Sequence, residues 1–108
     1  MRIVKVEPGK PAEICEIDGS LESMQEVVGG YIECLHPWKS KVTLICNEEG
    51  KLRGLEPNQK IYFGYGDTDI ICGTFFFCRT EGEELTSLYD GEAEWIKDEI
   101  NRRRGVDV

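Results

Sequence analysis

The sequence predicts an α+β domain with a mostly antiparallel sheet of about five strands, one short internal helix and a C-terminal helix. Three observations carry that prediction. Short apolar runs bounded by Gly, Pro, Asn and Asp recur along the chain, an amphipathic stretch runs from Ser20 to Gly29-Gly30, and residues 90–105 begin in acids and end in arginines. A chain of 108 residues suits one domain. Within 1–108, residues 1–89 are expected to form the core and residues 90–105 an acidic C-terminal helix.

Residues 2–7 and 12–17 read as a hairpin around Pro8-Gly9-Lys10-Pro11, where prolines fix φ and a glycine permits the turn. Ser20 is a good N-cap for a helix carrying Leu21, Met24, Val27 and Val28 on one face. Gly29 is expected to close it in the left-handed conformation. Tyr31 to Leu35 is a strand stopped by His36-Pro37. Lys41 to Cys46 is a strand with Val42, Leu44 and Cys46 on one face and Thr43 and Ile45 on the other.

The turn Asn47-Glu48-Glu49-Gly50 follows, with Asn47 expected to bond the backbone two residues on and Gly50 to take a left-handed end. After an irregular return, Ile61, Phe63 and Tyr65 alternate as a strand. Ile70 to Cys78 is apolar on both faces and is expected to be one interior strand, with Gly73 marking a bulge or a close approach. In the last helix Asp90 is expected as N-cap, Ala93, Ile96 and Ile100 form a thin stripe beside Trp95, and Gly105 ends it. Asp98–Arg102 and Glu99–Arg103 are expected i,i+4 pairs. This helix is expected at the surface.

The net charge of −8 disfavours direct nucleic-acid binding through phosphate neutralisation. Residues 81–99 hold eight acids and one base, so they carry −7 of it. That concentration makes Glu92, Glu94, Asp98 and Glu99 a candidate acidic partner surface. No apolar run is long enough for a membrane helix. The opening Met1-Arg2-Ile3-Val4-Lys5 is not a secretory signal. Five cysteines without Cys-x-x-Cys spacing read as buried thiols of a cytoplasmic protein rather than a metal site.

Catalytic chemistry is not visible. His36 is the single histidine, and a Cys34–His36 pair lacks an orienting third group. Asp67-Thr68-Asp69 opens like a calcium loop but runs into Ile70, Ile71 and Cys72. Gly64-x-Gly66 precedes a strand, not the helix of a dinucleotide site. The chain is therefore expected not to be an enzyme and to need no cofactor or metal. Asn47, Glu48, Glu49, Asn58, Asp69 and Glu33, polar residues at turns or in strands beside the apolar runs, are the candidate binding residues. A homodimer would cover sheet edges.

Val28-Gly29-Gly30-Tyr31-Ile32-Glu33, Leu44-Ile45-Cys46-Asn47-Glu48-Glu49-Gly50-Lys51, Gly54-Leu55-Glu56-Pro57-Asn58 and Asp69-Ile70-Ile71-Cys72-Gly73-Thr74-Phe75-Phe76 occur in that order. Together they resemble the domain-of-unknown-function family 3846, as do Val6-Glu7-Pro8-Gly9-Lys10 and Leu21-Glu22-Ser23-Met24-Gln25. The likeness runs to about Leu88. It implies a small cytoplasmic protein or appended domain of bacteria, often gut Firmicutes, and of their phages and conjugative elements, encoded among genes that include antirestriction proteins. It implies no established activity. The family usually has a basic residue after the Asn58 position, where this chain has Gln59. The expectation is a non-catalytic binding or accessory protein acting on a host or mobile-element protein. The alternative is a small-ligand module using the polar turns.

Overall fold

The computed structural model describes residues 1–104, and the expected end of the last helix at Gly105 lies outside them. The chain folds as β1 (Arg2–Val6), β2 (Glu13–Glu16), α1 (Leu21–Val28), β3 (Ile32–Leu35), β4 (Val42–Asn47), β5 (Pro57–Tyr62), β6 (Thr68–Cys72), β7 (Phe75–Glu81), β8 (Glu84–Thr86) and α2 (Asp90–Arg103). The α+β class with a C-terminal helix holds. The strands number more than expected: a six-stranded sheet ordered β2-β1-β7-β4-β3, with β8 beside β7, and a separate β5–β6 pair. All pairings are antiparallel.

Strand alternation sends the apolar side chains of β1, β4 and β7 to opposite faces of the large sheet. Ile3, Ile45, Phe76 and Cys78 meet Met24 and Val28 of α1 on one face. Val4, Leu44, Cys46, Phe75 and Phe77 face the other way. There they pack with Ile61 and Ile71 of the small sheet and with Ala93, Ile96 and Ile100 of α2. The result is three layers: α1, the large sheet, and a mixed layer of α2 and the small sheet. The thin stripe of α2 is thus fully buried, and the helix is part of the core rather than an appendage.

Ser20 caps α1 by accepting from Ser23 N at 3.1 Å, and Gly29 is left-handed, as expected. The run Ile70–Cys78 is corrected. It is two strands in different sheets, broken at Gly73, where φ is +83°. At that point the chain leaves the small sheet for the large one, a reversal that an L side chain resists. The strand expected over Ile61–Tyr65 lies earlier, at β5, and Tyr65 is exposed beside Phe63.

Asp90 is not the N-cap of α2. Its carboxylate pairs with Arg2, the extended cap residue is Tyr89, and Glu92 Oε1 accepts from Tyr89 N at 2.9 Å. Glu99–Arg103 forms at 3.1 Å, but Arg102 turns to Glu99 rather than to Asp98.

Candidate functional site

Asn47 is the last residue of β4 and is buried. Its Oδ1 accepts from Glu49 N at 2.8 Å, the local bond expected from the sequence. Its Nδ2 donates to Val28 O at 3.1 Å, tying the turn to the end of α1. Both ends of the amide are thus engaged within the fold. Gly50 is needed for a different reason than the one expected. Its φ is not left-handed, but a Cβ there would lie 2.8 Å from the carbonyl oxygen of Cys72. Gly50→Ala should therefore cost about 2 kcal/mol, the usual scale of overpacking against backbone, read from urea unfolding.

Asn58 lies away from that turn, with 2% of its surface exposed. Its Nδ2 donates to Val6 O and Gly73 O, each at 2.8 Å, and its Oδ1 accepts from Arg104 at 2.7 Å. Arg104 also donates to Lys10 O, Asn58 O and Gln59 Oε1. Gln59, the residue after Asn58, is buried in this joint. Its side chain faces inward.

The remaining five predicted residues come together. Glu33, Asn47, Glu48, Glu49 and Asp69 line one groove of about 180 Å³ between the end of β3, the turn after β4 and the edge of β6. Lys51 pairs with Asp69, and Arg53 reaches Glu49 at 3.5 Å. Glu33 accepts from the Cys46 thiol at 3.8 Å. Among the described residues neither Glu33 nor Glu48 has a cationic partner. No group of three His, Cys, Asp or Glu side chains among those residues is placed to hold a metal ion.

The cysteines are unpaired and not uniformly buried. Cys46 and Cys78 are buried, Cys15 and Cys72 half-buried, and Cys34 is exposed, against expectation, because β3 is a sheet edge. Burial pushes the Cys46 and Cys78 thiols up to about 12, with Glu33 adding to the effect at Cys46. The unfolded chain releases these protons near the ordinary value of 9.0 and the folded chain does not. Above pH 9 the unfolded state therefore binds fewer protons, and stability falls as pH rises toward 12. Unfolding curves from pH 8 to 11 should show this decline, with a shallower slope in a Cys46→Val, Cys78→Val double variant. Among the described residues His36 makes no hydrogen bond to a thiol; its Nδ1 meets Thr43 Oγ1 at 3.5 Å.

The expected acidic surface of α2 is largely neutralised. Glu92 pairs with Arg79, Glu94 with Lys97 at 3.1 Å, and Glu99 with Arg102 and Arg103. Glu81 joins Arg79 and Lys41, which hold its carboxyl below the ordinary range. The cations on α2 acids include Arg79 of β7 at Glu92 and Arg2 of β1 at Asp90, so a count of charges along α2 overstates its field. Glu94 and Asp98 remain exposed there.

Beside Glu92 lies an aromatic face that sequence reasoning missed. Trp38, in the loop before β4, stacks on Phe77 at 5.4 Å and meets Trp95 of α2 edge-on at 5.7 Å. Trp95 is 56% exposed. On one side of the tryptophan pair is a cleft of about 440 Å³ lined by Trp38, Val42, Trp95 and Ile96. On the other, Arg103 lies over the ring of Tyr62 at 4.9 Å. Trp95 was legible as lying beside the apolar stripe, but its pairing with Trp38 required the sheet to bring the two together.

A family model described as "Domain of unknown function (DUF3846)" matches residues 1–101. No curated protein and no solved structure matches the chain.

Proposed function

Since the chain belongs to the DUF3846 family, which names no activity, we propose from the geometry that it is a non-catalytic protein-binding module. The observation that carries this reading is the Trp38–Trp95 face. An exposed tryptophan beside an apolar cleft, rimmed by charged side chains, has the composition of an interface centre. Glu94 and Asp98, exposed on the same helix as Trp95, and a net charge of −8 favour a partner that presents an apolar anchor flanked by lysine or arginine. On this reading the partner is a host or mobile-element protein. Five free cysteines fit a reducing, cytoplasmic setting.

The alternative, a small-ligand module at the polar groove, is less favoured. Its volume of about 180 Å³ falls below the roughly 300 Å³ at which small-molecule sites begin. Affinity purification from native host cells with the wild-type chain and with Trp95→Ser tests the reading. The expected result is a basic protein retained by the wild type and lost from the variant, whose circular dichroism stays unchanged. Retention by both would refute the aromatic face as the contact.

A further inference from the structure

We propose that the outer edge of β3 accepts an extended segment of a partner protein as an added strand, one in which lysine or arginine alternates with apolar residues. The large sheet ends in β2 on one side and β3 on the other. These two edges are treated differently. At the start of β2, Asn101 closes the backbone of Ala12 by accepting its N–H at 2.6 Å and donating to its carbonyl at 3.1 Å, while Arg104 donates to Lys10 O. β3 pairs with β4 through Ile32–Leu35, and among the described residues no strand pairs with its other side. An uncovered edge offers backbone donors and acceptors to another chain.

The side chains beside that edge state the chemistry of the occupant. Glu33 and Leu35 project to the groove face of the sheet, and Glu48 and Leu52 rise from the turn on its far wall. Leu52 is 88% exposed. A strand added to β3 places every second side chain over this face. There, a cation opposite Glu33 and Glu48 and an apolar residue against Leu35 and Leu52 complement what is present. Lys51 and Arg53 do not compete, because they are held by Asp69 and Glu49. A second copy of this chain fits less well, since pairing two β3 strands on Glu33 would oppose like charges.

The test uses the full chain, isotopically labelled for NMR, and a capped heptapeptide of alternating lysine and valine. Saturable binding is expected, with slowed amide exchange in residues 32–35 and shifts in residues 48–52. Glu33→Gln with Glu48→Gln, both at exposed side chains, should weaken binding about fivefold. A peptide of the same charge, N-methylated at every backbone amide, should not bind, because neither of its edges can donate to β3. The proposal is overturned by equal binding of the methylated peptide, by effects confined to the Trp38–Trp95 face, or by no binding. It is equally overturned if the chain alone protects residues 32–35 in a concentration-dependent way, which would make a second copy the occupant.

Discussion

Asn58→Ala lowers the free energy of unfolding by about 3 kcal/mol, and the thermal midpoint by about 15 °C. The wild-type amide joins three parts of the chain: the end of β1 through Val6 O, the break between the two sheets through Gly73 O, and the C-terminal end of α2 through Arg104. Truncation leaves two buried carbonyls and a partly buried guanidinium, each with one partner fewer. Burial already pulls Arg104 below its ordinary value, and the change removes one of its acceptors while Glu7 O, Lys10 O, Asn58 O and Gln59 Oε1 remain. Asn58→Leu should be no better, because the carbonyls stay unmet whatever apolar group replaces the amide. Glu56→Ala, next to the same joint but exposed, should change stability by less than about 0.5 kcal/mol. A loss below about 1 kcal/mol for Asn58→Ala would show that the joint is not held by this amide.

Trp95→Ser weakens partner binding by about 30-fold or more, the scale of a tryptophan at an interface centre. The same change should lower stability only slightly, because more than half of the side chain already meets solvent. Trp38→Ser separates the two effects differently. Trp38 stacks on Phe77 in the core, so its loss should reduce both binding and stability. Titration calorimetry with the captured partner, set beside urea unfolding of the same variants, reads both quantities. Equal affinity for wild type and Trp95→Ser would remove Trp95 from the interface.

Much of the fold was legible because local chemistry and tertiary packing agree there. Ser20 and Gly29 bound α1 as their side chains and backbone freedom require, and the alternation in β4 delivers Leu44 and Ile45 to opposite clusters. Asn47 makes the local bond its position predicts. The run Ile70–Cys78 was misread because its apolar period of two continues across the break. What divides it is Gly73, held by Glu56 O and by Asn58 and pressed against Leu55, all distant in sequence from the strand itself. Asp90 would cap α2 on local grounds, but Arg2 claims its carboxylate from the far end of the chain.

The site shows the same division. Five of the six predicted binding residues share one groove because they flank the same strand ends, whereas Asn58 serves the joint between layers. The acidic surface of α2 could not be judged from composition, since Arg79 and Arg2 reach it only through the folded sheet. The aromatic face was invisible for a related reason. Trp38 stands beside the lone histidine in sequence, and only the packing of α2 on the sheet sets it against Trp95.

Site-specific photo-cross-linking in native cells locates the partner contact on the folded chain. A benzophenone amino acid replaces Glu94, exposed next to Trp95, or Glu26, exposed on α1 at the opposite face of the sheet. A contact through the Trp38–Trp95 face gives one cross-linked protein from position 94, none from position 26, and loss of the product when Trp95→Ser is added in the same chain. Cross-linking from position 26 with none from position 94, or a product at 94 that survives Trp95→Ser, would contradict it.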